Sequence, residues 1–191
     1  MKAYNRPLLI LLLFFTGITF SKELIIADVD KDGVNDTIKY DRKNSMLILK
    51  LSSNNFKAIK SKRIDYVGSA SGIELTKNGF KFYNNQMREG YTCQFRFDKK
   101  TNKVQLIGMD RFNDGNAQHD GSGESSVNLL TNKYIGNCNY FDLKNKKLVK
   151  IAQIEESLII PKTYLEGFSE KQPEYYRERC DALYIKYKPK K

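Results

Sequence analysis

The 191-residue chain has no tryptophan, one histidine and three cysteines. The lone histidine, His119, has no nucleophile motif around it. Gly-x-Ser-x-Gly, His-Glu-x-x-His and phosphate-cradling glycine patterns are all absent, which excludes the common hydrolase, zinc-protease and nucleotide-binding signatures. Folding can always bring two carboxylates into a glycosidase-type pair, but the sequence singles out no two. The chain is therefore expected not to be an enzyme. Cys93, Cys138 and Cys180 match neither a zinc-site spacing nor a Cys-x-x-Cys pair. No nucleic-acid-binding module is recognisable.

Long apolar runs are missing except at the start. Lys2 and Arg6 precede an unbroken apolar stretch from Leu8 to Phe15, and Thr19 and Ser21 place small residues ahead of Lys22. This is the three-part pattern of a cleavable secretory signal over residues 1–21. Even extended to Phe20, the run is shorter than the roughly 20 residues of a spanning helix. No cysteine sits at the expected cleavage point, which argues against a lipid anchor. Residues 22–191 are thus expected as one domain, periplasmic or secreted and not membrane-spanning. An exported chain with three cysteines accommodates one disulfide and one free thiol. Cys93 alternates with Tyr91, Phe95 and Phe97 and reads as the buried thiol, leaving Cys138 and Cys180 as the expected bridge.

Acidic residues are the minority, 22 against 33 Lys and Arg. Without Lys2 and Arg6 the balance is about +9. Such a charge admits an anionic partner, whether nucleic acid, a lipid surface or a cell-wall polymer. Lysines strewn through turns (Lys99, Lys100, Lys144) and the tail also read as solvated edges that discourage strand-to-strand aggregation.

Hydrophobic residues make up 40% of the chain, enough for a core, and its aromatics are all Tyr and Phe, which suit half-buried strands. Short alternating runs recur with polar turns between them: 37–40 with 46–51, 73–76 with 80–83, 94–97 with 104–109, and 134–141 with 148–154. The fold class expected is all-β, an antiparallel hairpin meander arranged as a sandwich or a propeller-like assembly. After Pro161 the pattern changes. Pro173 interrupts residues 162–183, predicting one or two short helices, with 183–187 as a closing strand.

One motif carries specific chemistry. Asp28-Val29-Asp30-Lys31-Asp32-Gly33-Val34-Asn35-Asp36 sets carboxylates at alternate positions before a glycine. Calcium takes about six to eight oxygens in flexible geometry. Asp28, Asp30, Asp32 and Asp36, with the Val34 carbonyl, are the expected Ca2+ ligands. Position twelve of the loop is Lys39 where an EF-hand needs Glu, so the loop is similar instead to those of FG-GAP and VCBS repeats, here in a single copy. The second unusual stretch runs from Asp110 to Ser126, long, glycine- and serine-rich and locally acidic. Long loops on a β scaffold are where recognition concentrates. Asp114, His119, Asp120, Ser122 and Glu124 are its candidate partner-binding residues.

Together with the Asp28–Asp36 loop, Phe95-Arg96-Phe97-Asp98, the Leu106-Ile107-Gly108-Met109-Asp110-Arg111 segment, Ser125 to Thr131, and Lys133-Tyr134-Ile135-Gly136 resemble a family of small exported bacterial proteins. These are periplasmic calcium-binding immunity proteins that protect against lysozyme-like effectors. The resemblance implies a protein partner, a peptidoglycan hydrolase or toxin, blocked by a loop entering its cleft. Residues 121–126 and the small-residue run 68–72 are the candidate wedges. Many such enzymes are basic, which sets the +9 charge against this partner unless the acidic loop governs approach. The alternative function is a calcium-stabilised adhesion or envelope-polymer-binding module.

Overall fold

The computed structural model describes residues 22–190, so the expected signal peptide lies outside the described residues. Strands β1 (Leu24–Ala27), β2 (Asp36–Asp41), β3 (Met46–Lys50) and β4 (Ala58–Lys60) pair antiparallel in chain order as a four-stranded sheet. The second sheet comprises β5 (Ala70–Thr76), β6 (Gly79–Asn85), β7 (Glu89–Asp98), β8 (Lys103–Asn113), β9 (Gly123–Asn128), β10 (Lys133–Asp142), β11 (Lys147–Lys150) and β12 (Ile154–Ser157). Its order is β11-β10-β9-β8-β7-β6-β5, with β12 also paired to β10. The expected antiparallel meander is present. Inward side chains of both sheets share one hydrophobic core.

The turns repeat one device. Asp41, Asp98, Asn128 and Asp142 each accept hydrogen bonds from the backbone two or three residues on, and Ser45, Asn102, Asn132 and Lys146, each four residues later, take positive φ. An Asx side chain mimics the missing backbone turn, and the left-handed residue restores the strand direction. The β5–β6 turn differs. Gly79 has φ +150°, and a Cβ there would lie 2.1 Å from the Phe95 carbonyl oxygen, so only glycine fits.

Aromatic rings join the layers. Tyr40 on β2 meets Phe82 on β6 at 5.3 Å, and Phe80 stacks on Phe95 at 5.2 Å. Phe168, on the connector that follows β12, meets Phe95 edge-on at 5.0 Å. That connector is tied to both sheets, since Leu106 N–H donates to the Thr163 carbonyl and Lys62 N–H to that of Phe168.

Two expectations for the end of the chain are corrected. Lys171–Tyr187 forms a single 17-residue helix, α1, which absorbs residues 183–187 expected as a strand. Pro173 falls in the first turn, where its missing N–H has no intrahelical partner to lose. Ser169 and Gln172 form a capping box: Gln172 Oε1 accepts the Ser169 N–H at 2.9 Å and Ser169 Oγ accepts the Lys171 N–H at 3.3 Å. The expected Cys138–Cys180 bridge is also absent, for all three cysteines are free. Cys180, buried on α1, faces Ser125 instead, Sγ to Oγ 3.3 Å. Cys93 is fully buried, as expected of a core thiol.

Phe95 touches both Phe80 and Phe168 and has no exposed surface. Phe95→Ala should lower the unfolding free energy in urea by roughly 3–5 kcal/mol. Arg96→Ala, on the opposite face of β7, should leave the midpoint nearly unchanged.

Candidate cation loop and binding clefts

The Asp28–Asp36 segment links β1 to β2, and its own carboxylates shape it. Asp28 Oδ1 accepts the Lys31 and Asp32 N–H groups at 2.8 and 3.1 Å, and Oδ2 accepts Gly33 N–H at 3.1 Å. Lys31 and Gly33 take positive φ to close the curl. Asp36 is fully buried. Its Oδ2 accepts Val29 N–H at 2.7 Å and Asp30 N–H at 3.3 Å, and its Oδ1 accepts Ser52 N–H at 2.8 Å. The loop is thereby pinned to the turn after β3.

Carboxylate oxygens of Asp28, Asp30 and Asp36 come within 4.8 Å of one another. Asp30 is 3% exposed, and its Oδ1 has no hydrogen-bond partner, while its Oδ2 accepts Ser53 Oγ–H. Among the described residues none of the ion pairs reaches these three carboxylates. A crowded, uncompensated oxygen set with an orphaned buried acceptor fits a hard cation. Asp32 stands outside the group. Its carboxylate accepts Val34 N–H at 2.8 Å and Ser52 Oγ–H at 2.6 Å, and the Ser52 hydroxyl, first among its partners, holds it below the usual carboxylate range. Val34 is 50% exposed at the loop's outer end.

The long loop expected at 110–126 is shorter. Residues 110–113 complete β8 and 123–126 begin β9, leaving 114–122 as the connection. That connection is fixed by hydrogen bonds. Asn116 Oδ1 accepts from Gln118 and Asp120 N–H, and the Arg88 guanidinium donates to the Gly115 and Asn116 carbonyls. His119, exposed with φ +60°, turns Nδ1 to the Asp114 carbonyl oxygen at 3.0 Å. Asp120 binds Phe141 N–H at 2.7 Å and Lys188 Nζ at 2.7 Å. Those contacts outweigh its desolvation and hold its carboxyl below the ordinary range. Ser122 is buried against Asn139. The structure thus joins Asp114, His119, Asp120 and Ser122 in one loop, with Asp120 and Ser122 occupied internally. Glu124 stands apart on β9, exposed. Of the two expected wedges, 123–126 is paired strand, and in the 68–72 run Ser69 and Ala70 are exposed while Ser71 and Gly72 are buried in β5.

One cleft escaped the sequence. It has a volume of about 420 Å3 and lies between α1 and the ends of β6 to β8. Glu170, beside the helix start, accepts the Tyr91 hydroxyl proton at 2.9 Å. Asn84, 2% exposed, donates to that same hydroxyl. Desolvation pushes the Glu170 carboxyl up to about 7, against the lowering pull of the Tyr91 hydroxyl; Glu174 adds to the rise. Arg111 bridges β8 to α1 through Asp181 at 2.7 Å. Tyr91 and Glu170 are 79 positions apart, and no local pattern links them.

Comparison of the chain with protein-family models, with curated proteins and with solved structures gives no match in any of the three. The resemblance to immunity proteins therefore rests on the sequence motifs alone.

Glu170 makes stability depend on pH. The folded protein keeps its proton up to about pH 7, while an unfolded glutamate releases it near 4.5. Between those values unfolding releases a proton, so stability falls as pH rises and the loss is complete above 7. Glu170→Gln, which still accepts the Tyr91 bond, should melt higher than wild type at pH 8 and equal to it at pH 4, read by thermal unfolding.

Proposed function

We propose that this chain is an exported, calcium-stapled binding module that works by blockade, its partner a cell-wall-degrading effector in the periplasm. The observation that carries this reading is the 114–122 loop. It joins β8 to β9, is locked by side-chain-to-backbone hydrogen bonds, and leaves Asn116, Ala117, Gln118 and His119 exposed. A preorganised loop loses little entropy on entering a partner's cleft, which is where inhibitory affinity comes from. Its tip replaces residues 121–126 and 68–72 as the entering segment.

The cation belongs to the scaffold. Asp28, Asp30 and Asp36 would hold it, and its charge would offset their mutual repulsion and fix the β1–β2 connection. Calcium suits this all-oxygen set because its coordination tolerates irregular geometry.

Two measurements test the reading. Calcium should raise the melting temperature and a chelator lower it, since a ligand of the native state stabilises by mass action, about 2.7 kcal/mol at a hundredfold excess over Kd. Asp30→Ala should abolish that response and Asp32→Ala retain part of it; an unchanged response in Asp30→Ala rules out this site. For the partner, mature protein used as bait in envelope extract and washed at high salt should retain a peptidoglycan hydrolase whose wall-clearing activity it inhibits at 1:1 stoichiometry. Ala117→Arg with His119→Ala should release it. Retention of wall polymer alone, stripped by salt, would sink the inhibitor reading.

A further inference from the structure

Strand alternation leaves the two sheets with different solvent faces. On the four-stranded sheet, Ile25, Ile38, Tyr40, Leu47 and Leu49 point into the core, so their neighbours point out. The register sets these neighbours in two cross-strand rows. One runs Leu24, Lys39, Ile48, Lys60, and the next runs Ile26, Thr37, Lys50, Ala58. Leu24 is 49% exposed and Ile26 is 65% exposed. At strand spacing the four positions of a row span about 14 Å.

On the other sheet Lys81 pairs with Glu74 and Lys133 with Glu155, each at 3.0 Å. Here Lys39, Lys50 and Lys60 enter no ion pair among the described residues. The acid pointing out from these strands is Asp41, whose carboxylate is committed to Asn44 in the turn. The result is a patch of net positive charge, in which only Lys39 has an acid, Asp41, nearby on the same face, with Leu24, Ile26 and Ile48 set between the charges.

We propose that this outward face docks on an anionic lipid surface. Charge complementarity alone would also fit a soluble polyanion. The interleaved apolar side chains distinguish the two, because a bilayer offers an apolar layer directly beneath its phosphates and a hydrated polymer does not. Lysine stems lie along apolar surface while their ammonium groups stay among the headgroups. Each lysine near an anionic surface strengthens binding by roughly fivefold, and the three together by about a hundredfold. The proposal is independent of the effector-binding loop, which lies on the other sheet.

The test is sedimentation of the chain from Lys22 onward, which holds every element of the fold, with vesicles of equal phosphatidylglycerol and phosphatidylcholine. The protein should pellet with these vesicles and not with phosphatidylcholine alone, and added salt should release it. The triple variant Lys39→Gln, Lys50→Gln, Lys60→Gln should bind about a hundredfold more weakly. Lys99→Gln with Lys100→Gln, in the β7–β8 turn, should bind as wild type. Ile26→Ser should weaken vesicle binding and leave binding to dextran sulfate unchanged. Lys50→Glu alone, read on the same vesicles, keeps the test decisive if the triple variant loses stability. Undiminished binding by the lysine variants overturns the proposal. So does an Ile26→Ser variant that binds vesicles fully while dextran sulfate displaces it, which would make the face a polyanion site.

Discussion

A carboxylate with no exposed surface governs the N-terminal sheet. Asp36 is the first residue of β2 and has been taken wholly out of water, a costly placement unless its oxygens are satisfied. Three backbone N–H groups meet it, from Val29, Asp30 and Ser52. Those partners come from the loop before β2 and the turn after β3, so one side chain fixes the spacing of three strands. The same satisfaction draws Asp30 inward and leaves its Oδ1 without a donor. The cluster that could hold a cation is thus a by-product of the way the sheet is pinned.

The second sheet depends on aromatic packing instead. Phe80, Phe82, Phe95 and Tyr40 fill the space between the layers, and Phe168 brings the connector after β12 down onto the same cluster. Once that connector is in place, the capping box at Ser169 starts α1 close to β7, and Glu170 is desolvated against Tyr91. The cleft and its titrating carboxyl are consequences of where the core lets the helix begin. Arg42 ties the two layers at their edge, donating to Glu23 at 2.7 Å and to the Ser71 carbonyl at 2.8 Å.

Charge is distributed unevenly over this frame. Lys81, Lys133, Lys186 and Lys188 are matched with Glu74, Glu155, Glu156 and Asp120. Lys39, Lys50 and Lys60, which enter no ion pair among the described residues, share the outward face of the small sheet. A basic protein need not repel a basic partner if the partner meets the locally acidic 114–122 loop and not the lysine face. The repulsion that the chain's net charge of +11 implies for a basic effector is then a matter of orientation.

Much of this was legible in the residues alone. Period-two alternation and Asx or Asn-Gly turns located the β2–β3, β5–β6, β7–β8 and β10–β11 hairpins, because both are local properties of the chain, but not β6–β7 or β9–β10. The aspartate spacing of 28–36 likewise announced a loop that curls on its own carboxylates. Ser169-Glu170-Lys171-Gln172 is a legible capping box that Pro173 obscured; position within the first turn decided that proline's effect. What the sequence by itself determined, then, was the strand type of the alternating runs in residues 37–109, turn chemistry and the acidic loop, all set by contacts within a few residues. Only the tertiary structure decided that Asp32 turns to Ser52 and leaves the cluster, that Cys180 meets Ser125 instead of Cys138, and that Tyr91 finds Glu170. Each of those depends on strand register and helix placement, which arise when separate elements compete to bury the same core.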